Sequence, residues 1–459
     1  MASKIPGPVE NPKVDITNAI DNSRLGGFQW GIFALCGLCL IMDGFDLQAI
    51  SFVGPVLRRE WHIPSDTMGT LFSSALAGVL FGSILFSMLA DRVGRRPVLI
   101  AVTLYFSAMS LVTARADTIG HLILIRFFAG LGLGAIMPNA MALVGEYSPS
   151  RARVMSMMVV SNGFTLGAAF GGPIAAWLLP HYGWRGVFYF GAMTPLAIAA
   201  LMIFFLPESL QFLALRGHNK QRLVRWLKRV DPGLGIGPQT EFAIPEERKR
   251  GVPMVQLFHD GRALGTVLLW AVNFMNLLNL YFLTNWLPIV VSTAGYPDTY
   301  AVISASVLQA GGVIGTFVLS ALVRQRGFTP VLTGSFALAC VSIAAIGQPY
   351  LSLAMLFAVI FLAGFGIPGS QAGLNALSAT YYPTDLRSTG VGSGLGIGRI
   401  GSIVGPWIAG QLLLRHWKAP ELFLAAAAPA LISAVIMLWL KRVVKPAGMR
   451  ASAKEALVH

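Results

Sequence analysis

Charge is what this sequence has least of. Only 12% of its 459 residues are Asp, Glu, Lys or Arg, where an ordinary soluble domain carries about 25%. Hydrophobic residues make up 55%, and the mean hydropathy is +0.67. So little charge excludes a soluble enzyme and a disordered chain, which needs high charge and few apolar residues. Cysteine is scarce too: Cys36, Cys39 and Cys340 cannot build a disulfide framework. Cys36 and Cys39 form a C-x-x-C inside an apolar run with no βαβ pattern around it, so they read as small helix-packing residues. No signal peptide is expected. The first 26 residues are polar and of mixed charge, without a basic start or a small-residue cleavage site. No metal-ligand spacing, cofactor motif or nucleophile beside a base is present, so neither an enzyme nor a metal or cofactor site is expected.

What the sequence has is apolar runs long enough to cross a bilayer, which takes about 20 residues. They fall at 27–55, 67–89, 97–114, 119–145, 154–179 and 186–206, then at 263–292, 300–323, 329–348, 352–381, 389–414 and 421–440. The first is long enough to include an interfacial or unwound end near Gly54-Pro55. The expected fold is an all-α membrane protein of twelve transmembrane helices in two six-helix, pseudo-symmetric bundles. Its expected parts are a tail (1–26), a first bundle (27–206), a central loop (207–262), a second bundle (263–440) and a second tail (441–459).

A net charge of +14 invites a nucleic-acid reading, but no such motif accompanies it, and the distribution explains it otherwise. Most of the 34 Lys and Arg fall in the two tails, the central loop and the loops on the same side. By the positive-inside rule that side, with both termini, is cytoplasmic. The expected location is the inner membrane of a bacterium. The amphipathic stretch QRLVRWLKRV in the central loop could lie along the inner membrane surface.

The two halves repeat each other. GSILFSMLADRVGRRPVL (82–99) aligns with GTFVLSALVRQRGFTPVL (315–332) at seven of eighteen positions, including Gly82/Gly315, Gly94/Gly327 and Pro97/Pro330. YSPSRAR (147–153) pairs with YYPTDLR (381–387), and Trp184-Arg185 with Trp417-Lys418, at nearly the same offset. A duplicated six-helix unit is a mark of secondary transporters, whose site lies between the repeats near the bilayer midplane.

The end of the second run and the loop after it carry Gly82, Asp91, Arg92, Gly94, Arg95 and Arg96; the acid and the three arginines form a charge cluster that can latch one conformation by pairing with neighbouring helix ends. This loop resembles the signature motif of the major facilitator superfamily. The fourth run, with Arg126 followed by Gly130, Gly132 and Gly134, is similar to a second motif of that superfamily. GFTLGAAFGGP in the fifth departs from its exporter motif, which counts against a drug antiporter. LPESLQFL after the sixth run fits its sugar porters as well. The D-G-F-D of the first run and the segment 373–406, which contains Arg387, resemble the aromatic acid:H+ symporter family of the superfamily. That resemblance implies uptake of a benzoate-like acid with protons.

Charges within the runs are the natural site candidates, because they are costly in hydrocarbon. Asp43 and Asp46 lie three apart, so they share a helix face. Two carboxylates buried together cannot cheaply both stay ionised, which is the chemistry of proton coupling. Both are expected in the outer half of the membrane with Arg126, which would tune the proton-carrying acid or pair with it. Glu146 is a candidate proton exit, or a latch to Arg151 or Arg153. If the substrate is an aromatic carboxylate, it needs a cation; Arg399, near the midplane, is the better placed of Arg126 and Arg399. Phe45, Asn273, Asn276, Asn285, Trp286, Gln309, Gln371 and Asn375 are candidate neighbours for the ring. The partners expected are a small organic acid, protons and the bilayer, with the chain working as a monomer. Nicotinate-like, muconate-like or aliphatic acids, sugars, and a receptor built on a transporter fold remain open alternatives.

Overall fold

The structure is a computed structural model that describes residues 14–216, 220–234, 240, 242–243, 254–348, 351–383 and 386–443. Much of the expected central loop, residues 1–13 of the first tail and 444–459 of the second lie outside them.

Helix α1 (Ile16–Asp21) is capped by Asp15, whose carboxylate accepts from the Thr17 and Asn18 amides. The first bundle is α2 (Gly27–Glu60), α3 (Ser65–Val93), α4 (Arg95–Ala114), α5 (Ile119–Tyr147) and α6 (Ser150–Phe205). At 56 residues, α6 is nearly three times a bilayer crossing. It bends at Gly183 (φ 65°, ψ −176°), beside Pro180, and so crosses twice. Two short helices follow in the central loop, α7 (Leu210–Arg216) and α8 (Lys220–Val230). The second bundle is α9 (Ala263–Thr293), α10 (Asp298–Arg326), α11 (Phe328–Ile346), α12 (Leu353–Gly366), α13 (Pro368–Tyr381), α14 (Arg387–Leu414) and α15 (Ala419–Val443). Among the described residues, 11 helices are long and apolar enough to cross a membrane, with α12 and α13 taken as one. The doubled α6 brings the crossings to twelve, as the hydropathy pattern implies. Outside the helices, Val14–Asp15 bridges Phe242–Ala243 in parallel, tying the first tail to the central loop.

The sequence repeat is legible in the backbone. Gly94 ends α3 with φ 111° and Gly327 ends α10 with φ 82°, conformations that residues with a Cβ rarely adopt. Small residues let the helices touch in matching places. A Cβ on Gly82 would lie 2.0 Å from the Leu131 carbonyl oxygen across α3 and α5. One on Gly315 would lie 2.6 Å from that of Phe365 across α10 and α12. Large apolar side chains such as Phe81, Phe170, Phe204, Phe317 and Leu424 stand exposed around the outside, as a lipid-facing surface requires.

Four local expectations are corrected. Helix α2 does not unwind at Gly54-Pro55 but runs on to Glu60, because that segment is buried and Gly54 lets Ile289 of α9 approach closely. The longer helix places Asp43 and Asp46 at its middle rather than towards its outer end. The run 352–381 is divided: α12 ends at Gly366 and α13 starts at Pro368, whose missing N–H interrupts the ladder while Ile367 between them keeps a helical backbone. The apolar face of α8 packs against protein rather than lying free for lipid, with Leu223, Val224 and Leu227 buried and Trp226 stacked 5.7 Å from Phe28.

The bundles meet most closely at the face away from the central loop. There Ser51 Oγ donates to the Thr284 carbonyl (2.9 Å), Ser73 Oγ to that of Ile403 (2.7 Å), and the Gly172 amide to Ser306 Oγ (3.1 Å). An ion pair joins Arg59 to Asp298 at the same face.

Candidate functional site

Below this closed face lies a cavity of about 330 Å³ between the bundles. Its walls are mostly apolar, with Leu47, Phe72, Leu76 and Val79 from one bundle and Leu277 and Leu280 from the other. Asp43 enters from α2 and Arg399 from α14, so the two opposite charges come from opposite bundles. Backbone packing explains both placements. A Cβ on Gly44 would sit 2.0 Å from the Phe164 carbonyl oxygen, so the glycine seats α2 directly on α6 beside Asp43. Gly398 and Gly401 do the same for α14 against Leu277 and Phe274 of α9, with Arg399 between them.

Asp43 is 4% exposed, and among the described residues it has neither a hydrogen bond nor an ion pair. The Arg399 guanidinium is likewise without either among the described residues. The two are near enough to interact electrostatically, and Tyr281, also on the wall, feels both. A buried carboxylate facing an unengaged guanidinium across an apolar chamber is an arrangement that a bound anion or a proton can rebalance.

The amides divide between wall and support. Gln309, Gln371, Asn375 and Asn285 line the cavity. Asn273 and Asn276 stand behind it: Gln371 Nε2 donates to Asn273 Oδ1 (3.3 Å) and Asn375 Oδ1 (3.1 Å), and Asn276 Nδ2 donates to Gln371 Oε1 (2.8 Å). Helix α13 starts on the wall at Pro368, and Gln371 and Asn375, four apart on it, line the space. Trp286 is fully buried, its Nε1 donating to the Pro406 carbonyl (2.9 Å) and its ring edge-on to Phe72. Phe45 packs between Phe52 and Phe190, away from the cavity.

Asp46 and Arg126 form a separate centre. Both side chains are 0% exposed and 3.1 Å apart, and Arg126 Nη2 also donates to the Asp46 carbonyl (2.9 Å). Ser110 Oγ donates to the other carboxylate oxygen, and the guanidinium lies 5.7 Å from the Phe188 ring. This knot ties α2, α4, α5 and α6 together and does not reach the cavity.

A third cluster sits at the central-loop face. Glu146 pairs with Arg95, not with Arg151 or Arg153, and accepts from Ser209 Oγ (2.6 Å). Arg151 instead donates to the Ser23 carbonyl, and Arg153 pairs with Asp21. The geometric cause is that Glu146 and the first turn of α4 face the same inner corner. Glu208 accepts from the Arg95 and Arg96 amides (3.0 and 3.1 Å), closing the start of α4, while Arg96 Nη2 donates to the Ile203 carbonyl. Asp91, Arg92 and Arg387 are exposed. Four residues that matter were not singled out from the sequence: Gln48, Tyr281 and Thr284 on the wall, and Glu208. Gln48 lies in the same IMDGFDLQAI segment as Asp43, and Glu208 in LPESLQFL, so two of the four sit in motifs already recognised.

Residues 36–394 and 329–458 match the sequence model of the Major Facilitator Superfamily. The chain belongs to this superfamily. It is therefore a membrane transporter rather than an enzyme. Similarity to individual members runs almost end to end. The chain is 35% identical to the 4-hydroxybenzoate transporter PcaK of Acinetobacter baylyi over 93% of its own length and 94% of that protein's. It is 34% identical to the gallate transporter of Pseudomonas putida, over 94% and 96% of the two lengths. Among solved structures, the D-xylose-proton symporter superposes with a TM-score of 0.70 at 15% identity, covering 92% of this chain and 99% of that one. A bacterial homologue of the lysosomal transporter Spinster, inward-facing and occupied, gives 0.69 at 16% identity, covering 92% and 98%. At such identities these structures speak for the fold alone.

Proposed function

We propose that this transporter imports aromatic monocarboxylates of the benzoate type together with protons, across a bacterial inner membrane, as a monomer with both termini in the cytoplasm. The observation that carries the reading is Asp43 opposite Arg399 across an apolar cavity. The similarity to transporters of 4-hydroxybenzoate and gallate points to the same substrate class.

Charge balance supplies the coupling. With the site empty, ionised Asp43 neutralises Arg399. A substrate carboxylate that takes Arg399 leaves Asp43 as an uncompensated buried anion, which is costly in a low dielectric. A proton on Asp43 removes that cost. The neutral states are thus empty and unprotonated, or loaded and protonated, and these are the ones that can be occluded and exchanged between faces. Half-loaded states carry a net charge in a closed apolar chamber. One proton then moves with each monocarboxylate. Gln371 and Asn375, held by Asn273 and Asn276, give the ring a polar flank. With the tight contacts at the face away from the central loop, the described conformation is closed to the outside, and the cytoplasm is the side of release.

Radiolabelled 4-hydroxybenzoate uptake in cells, with and without an uncoupler, tests the reading. Uptake should collapse with the uncoupler and should be competed by benzoates more strongly than by nicotinate, muconate, aliphatic acids or sugars. Accumulation indifferent to the uncoupler would remove the proton from the mechanism, and competition led by a sugar or an aliphatic acid would remove the aromatic site.

A further inference from the structure

Besides Asp43 and Arg399, two buried polar side chains on the cavity wall have atoms without a partner among the described residues. Gln48 is 3% exposed, and both its Nε2 and its Oε1 lack a hydrogen bond. Thr284, 4% exposed, has an unpartnered Oγ1. Both line the cavity, one from each bundle. Almost all buried polar atoms in a folded protein are satisfied, so three orphaned atoms at one end of one chamber ask for a ligand that satisfies them.

Their chemistry restricts that ligand. An amide offers a donor and an acceptor together, and a threonine hydroxyl does the same. A carboxylate could use only the donors and an ammonium only the acceptors. A hydroxyl group uses both. Position restricts it further. Ser51, one helical turn beyond Gln48, bonds the Thr284 backbone, so the two orphaned side chains share the closed end of the chamber. Asp43, which faces Arg399, lies five residues back along α2, a rise of ~7.5 Å. That is about the length of a benzene ring with a carboxylate at one end and an oxygen opposite it.

We infer that Gln48 and Thr284 form a hydroxyl-reading subsite, and that the preferred substrate is a benzoate bearing a hydroxyl para to its carboxylate. The inference rests on the proposed aromatic-acid reading and sharpens it. The carboxylate engages Arg399, and the phenolic O–H donates to Gln48 Oε1 while its oxygen accepts from Gln48 Nε2 or Thr284 Oγ1. An unsubstituted ring leaves these groups desolvated and unpaired, which disfavours it as strongly as the lost hydrogen bonds do.

The test is initial uptake of radiolabelled 4-hydroxybenzoate, 2-hydroxybenzoate and benzoate in cells producing the wild type, Gln48→Leu or Thr284→Val, normalised to protein in the membrane. The wild type should favour the para-hydroxy acid over the other two. The 4-hydroxybenzoate to benzoate ratio should fall about tenfold in Gln48→Leu and several-fold in Thr284→Val. If Gln48→Leu does not reach the membrane, the near-isosteric Thr284→Val decides alone. A ratio within twofold of wild type in every variant that reaches the membrane, or a wild type that prefers benzoate or the ortho acid, overturns the subsite. A wild type that takes up none of the three acids overturns the aromatic reading itself, so the two failures are told apart.

Discussion

Asp43 and Asp46 are the same residue type on the same helix, three positions apart, and they have different surroundings. Asp46 is fully enclosed and engaged: Arg126 and Ser110 bond its carboxylate, and Arg126 bonds its backbone carbonyl as well. Asp43 stands at the wall of a chamber, unpaired, with Arg399 across the space. Three residues turn a helix by about −60°, enough to move a carboxylate from one helix–helix seam to the inter-bundle space. A buried charge with every valence satisfied holds a bundle together, while one whose balance is left open can exchange a proton. The intramembrane arginines divide in the same way, Arg126 to the knot and Arg399 to the cavity.

The sharpest way to break this contrast is to exchange the arginines' fates. Removing Arg126 strands a buried Asp46 carboxylate, a change that costs about 3–5 kcal/mol when one partner of a buried pair is lost. Arg126→Ala should therefore lower the melting temperature of the purified protein sharply and reduce its level in the membrane. Arg399→Ala leaves Asp43 at the cavity wall, where a proton can replace the lost counter-charge, so it should lower both far less and abolish accumulation of the acid. The opposite pattern would mean that the cavity has been assigned to the wrong arginine.

The acids give the next largest effect. Asp43→Asn keeps the shape and loses the exchangeable proton, so proton-driven accumulation should vanish. Exchange of labelled for unlabelled acid across the membrane should persist, because Arg399 still binds the anion. Asp46→Asn leaves Arg126 without its counter-charge and should act on thermal stability, with exchange and accumulation falling together in proportion to folded protein. Separate measurement of exchange and accumulation distinguishes the two.

A smaller effect belongs to the central-loop face. Glu208 closes the start of α4 much as an N-cap does, and losing a cap costs about 0.5–2 kcal/mol. Glu208→Ala should lower the melting temperature by a few degrees. It should also make the ends of α3 and α4 at that face more accessible to a membrane-impermeant thiol reagent at an introduced cysteine. Unchanged labelling would mean that Arg95, Glu146 and Ser209 hold this corner without it.

The contrast also marks what a sequence can and cannot say. Scarcity of charge inside apolar runs singled out Asp43, Asp46, Arg126 and Arg399, because hydrocarbon makes each of them costly. The repeat around Gly94 and Gly327 was likewise readable, since a positive φ leaves a glycine behind. What one sequence does not carry is which way each side chain points. Arg126 meets Asp46 across 80 positions of chain, and that meeting depends on how closely α2 and α5 approach and rotate. Asn273 and Asn276 look like Gln371 and Asn375 on paper. The second pair, on α13, lines the wall, and the first, on α9, bonds to Gln371 from behind it. A single glutamine among apolar residues, such as Gln48, carries no signal in the sequence; only the packing leaves both ends of its amide unpaired.

The smallest expected effect concerns Arg59 and Asp298, which join the bundles at the closed face. Arg59 is 63% exposed, and pairs of this kind contribute about 0–1 kcal/mol, so Arg59→Ala should hardly move the melting temperature. The pair nevertheless differs from Asp46–Arg126 in one respect: its partners belong to different bundles and separate when the outer face opens. A free energy too small to matter for folding, which both conformations share, still biases the equilibrium between them. A loss of about 0.5 kcal/mol shifts that equilibrium by roughly twofold. Labelling of a cysteine placed at Leu76, on the cavity wall, by an impermeant reagent added outside should therefore rise by about that factor in Arg59→Ala. The excess over wild type should disappear at high salt, where the pair in the unmodified protein is screened and its labelling rises to meet the variant's. Equal labelling in low salt would mean that the backbone contacts of Thr284 and Ile403 close this face unaided.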